Sequence, residues 1–279
     1  MSLVIRAIWP ILLLPLLVAA TVRVDGPEKE KAWLDKRLPV LIREVETRLG
    51  EESKRVILVH LARTDREFTE LAGTLPAWVA AVAMPGSSTL VVRLSAMHPE
   101  RGTGLSPILR HELVHLILPE RLHGARVPQW FEEGLAQIVG GRLNRTDLDR
   151  VNMAAAMDRL IPFTEIEERF PQDGDRAALA YAQGESMVAF LIEEYGLTRL
   201  LTAVKKRGSF DEAISLELSG DMNLITARWK ESLKERPWWL VILSGAFLPL
   251  LLFVAALLAV AAIIRSRLVG RKVYKSLPD

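Results

Sequence analysis

The sequence predicts an α+β fold: a small mixed sheet, then a mainly helical unit, then a C-terminal transmembrane helix. Three observations predict it. The β-rich runs all lie before about residue 95. From Ser106 to about 235, apolar residues recur at helical spacing. From Trp238 to Ile264, 27 residues pass without a charge, enough to span about 30 Å of hydrocarbon with some tilt.

The first helix is marked by Pro27 to Leu49, which carries Trp33, Leu34, Leu38, Leu41, Ile42, Val45 and Leu49 at helical spacing, and Gly50 is a natural C-cap. Val56–Leu61 is a short strand, and Thr64-Asp-Arg-Glu opens a helix with a capping box. Trp78–Ala83 and Thr89–Leu94 flank a Met-Pro-Gly-Ser-Ser turn and read as two strands. Ser106-Pro107 reads as a cap followed by proline at the first helical position. Helices are expected near 107–118, 128–139, 147–160, 175–195, 197–206, 210–218 and 222–235, the later ones punctuated by Gly196, Gly208 and Gly220. Strands first and helices afterwards suggest α+β.

The ends predict a membrane location. Arg6 and the terminal amine precede 14 apolar residues, Ala7 to Ala20, a length suited to a secretory signal. Residues 1–20 are therefore a signal peptide or an uncleaved anchor, and either would export the domain behind it. Residues 21–236 form the expected extracytoplasmic domain and 238–264 the single span, with Trp238 and Trp239 at its interface. The tail, 265–279, holds Arg265, Arg267, Arg271, Lys272 and Lys275 and is expected in the cytoplasm. The lipid bilayer is thus one expected partner.

Composition removes several classes. There are 36 Lys and Arg against 34 Asp and Glu, and no basic run is interleaved with aromatics, so no nucleic-acid partner is expected. The chain has no cysteine. This excludes disulfide frameworks, thiolate zinc sites and cysteine nucleophiles together. His, Asp and Glu remain to hold a metal tightly.

They form one constellation. The helix after Pro107 contains His111-Glu112-Leu113-Val114-His115. At about 100° per residue, His115 lies about 40° from His111 and Glu112 about 100° from it. Leu109, Leu113, Leu116 and Ile117 fall on the other side, available to the core. Two neutral imidazoles one turn apart suit one tetrahedral zinc ion, and the carboxylate between them reaches its water. With five histidines, a chance match has odds below roughly one in a hundred. A third ligand is needed, and the next helix offers two adjacent acids in Trp130-Phe131-Glu132-Glu133-Gly134-Leu135-Ala136. Periodicity does not choose between Glu132 and Glu133.

HELVH followed by WFEEGLA resembles the gluzincin zinc peptidases, and in length and layout their small peptidase MA-like members, over about residues 70–235. Aminopeptidase N and its relatives carry a similar Trp-x-x-Glu-Gly, whose glutamate before the glycine binds zinc. The resemblance makes that residue Glu133, with 17 residues between it and His115, and leaves Glu132 a supporting or surface acid. In the same relatives a Tyr-x-x-Gly heads a helix, and its tyrosine stabilises the oxyanion; Tyr181-Ala182-Gln183-Gly184 matches it. A tyrosine packed on a helix is the plainer reading of Tyr181.

Two features depart from those relatives. Between Ala72 and Leu109 the only acid is Glu100, so the glutamate that holds a substrate amine in aminopeptidases has no counterpart. Gln137 stands four residues after Glu133, where thermolysin-type sites place an aspartate behind a zinc histidine. His60, His98, His123 and Arg126 have ordinary structural readings.

The expected function is a membrane-anchored, extracytoplasmic zinc endopeptidase acting on peptides or proteins. His111, His115 and Glu133 would bind Zn²⁺, Glu112 would be the general base, and Tyr181 would face the oxyanion. As in related gluzincins, the strand Thr89–Leu94, just before the histidine helix, would pair with an extended substrate. The rival is an anchored zinc-containing binding module without turnover. Intramembrane proteolysis is excluded by Arg110, Glu120 and Arg121 around the motif.

Overall fold

A four-stranded mixed sheet and the helices around it make up the computed structural model, which describes residues 21–50, 53, 56–77, 79–97, 104–141, 145–171, 173–235 and 251–260. The strands are β1 (Thr21–Asp25), β2 (Val56–Ala62), β3 (Ala81–Met84) and β4 (Thr89–Arg93), in the order β1-β2-β4-β3. β1 and β4 run parallel to β2, and β3 runs antiparallel to β4. β1 escapes the sequence reading. It comes directly after an apolar N-terminal stretch, and its five residues alternate too briefly to stand out.

The expected strand Trp78–Ala83 is shifted to Ala81–Met84; Trp78 lies outside the described residues. The substrate-pairing role expected of Thr89–Leu94 is also corrected. β4 has β2 on one side and β3 on the other, and all five of its residues are buried. The edges of the sheet are β1 and β3, and β3 is the edge strand beside β4.

The helices are α1 (Glu28–Leu49), α2 (Asp65–Ala72), α3 (Leu105–Arg121), α4 (Gln129–Gly140), α5 (Arg145–Ala156), α6 (Gly174–Tyr195), α7 (Leu197–Arg207), α8 (Phe210–Glu212) and α9 (Met222–Glu235). α1 ends as its sequence predicts. Gly50 takes the left-handed conformation, φ 66°, and its N–H bonds the Glu46 carbonyl at 2.8 Å. At α2, the Thr64 hydroxyl accepts from the Glu67 N–H, and the Glu67 carboxylate accepts from the N–H of Arg63, one residue before the cap.

α3 starts at Leu105, so Ser106 and Pro107 lie inside its first turn instead of marking the boundary. The first-turn N–H groups have no helical partner, so proline is tolerated there. α3 also continues through Pro119 to Arg121. Arg121 is buried, and its guanidinium donates to the Leu49 carbonyl and the Thr202 hydroxyl, tying the end of α3 to α1 and α7. The helix expected at 210–218 is a short α-turn followed by a π-helical turn, Ala213–Glu217.

The contacts divide into two compact units. The first holds residues up to Val127, Leu135–Arg142 and Leu191–Ala213. Its core joins Leu34, Leu38, Leu41 and Val45 of α1 to Leu90 and Val92 of β4 and to Leu109, Leu113 and Ile117 of α3, all essentially inaccessible. The second holds Pro128–Gly134, Leu143–Phe190 and the chain from Ile214. In it Phe163 packs between Trp130 and Trp229, with ring centroids 4.8 and 5.4 Å away. Gln183 is fully buried and uses its amide on both the N–H and the carbonyl of Ile161.

Among the described residues no helix is long and apolar enough to cross a membrane. Of the expected span 238–264, residues 251–260 are described; they are helical and exposed. The remainder of that span, the segment 1–20 and the tail 265–279 lie outside the described residues.

Candidate active site

α3 carries the histidines because its opposite face is apolar. Leu109, Leu113, Leu116 and Ile117 are buried at 3% exposure or less, which fixes the rotation of the helix. His111 and His115 then lie one turn apart. His111 is 8% exposed and His115 half-buried. Their Nε2 atoms are 3.3 Å apart, with the rings near perpendicular at 72°.

α4 brings in the acid. Three carbonyls at its C-terminal end are held by arginines: Arg48 donates to Ile138 and Val139, and Arg110 to Gly140. These carbonyls have no partner within the helix, and positive charge at a helix C-terminus is favourable. Gly140 permits close approach to α3: a Cβ there would stand 3.1 Å from the Pro107 carbonyl oxygen and 3.4 Å from the His111 Cβ. Two turns earlier on the same helix is Glu133. One ligand atom each from His111, His115 and Glu133 lie within 4.8 Å of one another. Glu132 is not in this group.

The donor set fits a metal ion of the zinc type. Two Zn–N bonds of about 2.0–2.1 Å at the tetrahedral angle put the nitrogens about 3.3–3.4 Å apart, and the histidine pair is separated by that distance. Two imidazoles and a carboxylate leave a fourth position for water, as catalytic zinc sites require.

Glu112 has a bond to the sheet. It is half-buried, and its Oε2 accepts the backbone N–H of Ala83 in β3 at 2.8 Å. No sequence signal anticipates this bond, because it depends on the pairing of β3 with β4. β3 is itself anchored at its start. The Arg93 N–H bonds the Ala80 carbonyl, and the buried Arg93 guanidinium bonds the Val79 carbonyl, pairs with Asp65 and stacks over Phe68.

Tyr181 lies within α6, two turns in from its start, and not at the head of a helix as the resemblance implies. It is half-buried, and its ring meets Phe170 edge-on at 4.8 Å. Among the other histidines, His60 of β2 lies 3.7 Å from Asp25, and His123 is exposed in the turn after α3. His98 lies outside the described residues.

The family model of the peptidase MA superfamily matches residues 42–235, more than two thirds of the chain. The chain belongs to the peptidase MA superfamily. A search of curated proteins found no match. As a peptidase MA protein the chain is suggested to be a protease, with peptides or proteins as its substrates. The match covers the sheet from β2 onward and every helix from α2 to α9, so all three members of the His–His–Glu group fall inside it.

Proposed function

We propose that this peptidase MA protein is a zinc-dependent endopeptidase, anchored in a membrane with its catalytic domain outside the cytoplasm. The His111–His115–Glu133 group carries the reading, with Glu112 next to the first ligand. A bound zinc ion would acidify a water and polarise the scissile carbonyl. Glu112 accepts the proton of the attacking water and passes it to the leaving nitrogen. The Tyr181 hydroxyl donates a hydrogen bond to the oxyanion. An extended substrate lies along the outer side of β3, since β4 is enclosed. The region before the histidine motif lacks an amine-holding acid beyond Glu100, which supports endopeptidase over aminopeptidase specificity.

Membrane anchoring rests on the uncharged run Trp238–Ile264 and the five basic residues after it. Within that run Leu251, Leu252, Phe253 and Leu258 are more than half exposed, as lipid-facing residues of a helix would be.

Glu112→Gln tests the catalytic reading. The amide is no base and Glu112 is not a ligand, so zinc content should stay near one per chain. Hydrolysis of an N-terminally blocked peptide should fall at least roughly 10²–10⁴-fold. Equal activity in the two proteins, or cleavage confined to free N-termini, would overturn the corresponding part of the reading.

A further inference from the structure

The pairing of β3 with β4 fixes which backbone groups β3 presents outward. Ala81 is opposite Val92 and Ala83 opposite Leu90. The Arg93 N–H bonds the Ala80 carbonyl, so the Ala80–Arg93 pair is of the hydrogen-bonded kind. Such pairs alternate along an antiparallel ladder. Val82 and Met84 therefore face β4, while Ala81 and Ala83 turn their N–H and C=O groups to the outer side. The Ala83 N–H bond to Glu112 agrees with this assignment.

The outer side of β3 is where a peptide would add as a strand, and its groups are few. Over Ala81–Met84 they are the N–H and C=O of Ala81 and of Ala83. One of these four is occupied by the carboxylate proposed as the general base. One N–H cannot serve both Glu112 and a substrate carbonyl with good geometry. A bond from N–H to a carboxylate is also stronger than a neutral one, so the exchange affects both partners.

We infer that the Ala83 N–H is a latch on Glu112, released by substrate: an extended peptide pairing with β3 takes this N–H and frees Glu112 Oε2 for proton transfer. The inference rests on the peptidase reading and adds to it a coupling between strand pairing and the general base. Peptides able to form the extended pair would be turned over in preference to short ones of equal chemistry. Ala83 acts here through its backbone, as a positioning residue.

The test needs no turnover. In the zinc-loaded full chain in detergent, hydrogen exchange is read at single amides, and binding of blocked extended hexapeptides is measured alongside. Glu112→Ala should accelerate exchange at Ala83 by roughly tenfold or more, the loss of a charge-assisted bond, and leave Ala81 unchanged. The same variant should bind the hexapeptides several-fold more tightly, because the N–H no longer has a competing acceptor. Ala83→Pro removes the N–H without taking a bond from β4, and proline is admitted on edge strands. In the Ala83→Pro background, Glu112→Ala should then have no effect on binding. The inference is overturned if Ala83 exchange is unchanged in Glu112→Ala, which requires no second variant to fold. It is equally overturned if hexapeptide binding is unchanged, weakened or absent in Glu112→Ala, or if tightening persists in Ala83→Pro. Failure of the peptidase reading shows separately, as unchanged turnover in Glu112→Gln.

Discussion

Gly134 and Gly184 meet backbone to backbone. A Cβ built on Gly134 would run into the Gly184 carbonyl, 2.6 Å from its carbon, and one on Gly184 would lie 2.7 Å from the Trp130 carbonyl oxygen. Neither neighbour is a flexible side chain, so backbone must move to admit a methyl group. Gly134 directly follows Glu133, and this crossing of α4 and α6 therefore bears on the candidate ligand.

Gly134→Ala is expected to cost about 2–3 kcal/mol, the upper part of the range for overpacking, and to weaken metal retention by shifting Glu133. Gly174→Ala is the control. Nothing lies within 4 Å of its Cβ position, so it should be neutral or gain a few tenths of a kcal/mol. Denaturant unfolding of both variants and their zinc content check this.

Glu133 and Glu132 should separate by metal content. His111→Ala, His115→Ala and Glu133→Ala should each empty the site, since three protein ligands are what a catalytic zinc keeps. Glu132→Ala should retain about one zinc per chain. Zinc analysis after dialysis decides it, and the opposite result for the two glutamates would move the ligand by one residue.

Tyr181→Phe keeps the ring that packs on Phe170 and removes only the hydroxyl. Fold and zinc content should be unchanged. A hydroxyl that donates to the oxyanion predicts a fall in kcat of roughly 10–10³-fold with KM little altered. An unchanged kcat would leave Tyr181 a packing residue of α6.

The proposed topology rests on the two ends of the sequence. Protease added outside intact spheroplasts should digest residues 21–236 and spare an epitope placed after Asp279. The reverse pattern would place the catalytic domain in the cytoplasm and remove the export reading of residues 1–20.

The α+β class and the histidine helix are legible in the sequence alone, because apolar periodicity is a local property. Leu109, Leu113 and Ile117 declare the buried side of α3, and this sets the direction of His111 and His115. The Gly50 cap and the Thr64–Glu67 cap are legible for the same reason: their partners lie within a few residues. Features whose partners are distant in the chain emerge only on folding. β1 is too short to announce itself and becomes visible only as a parallel neighbour of β2. β4 reads as a substrate strand until its pairing on both sides shows that β3 holds the edge. Two adjacent acids on α4 are equivalent to periodicity, and only the approach of α4 to α3, with Gly140 against His111, brings Glu133 to the histidine pair. The Glu112–Ala83 bond joins residues 29 apart through a strand register. No local pattern encodes a register, because it is set by which side chains the assembled core can bury.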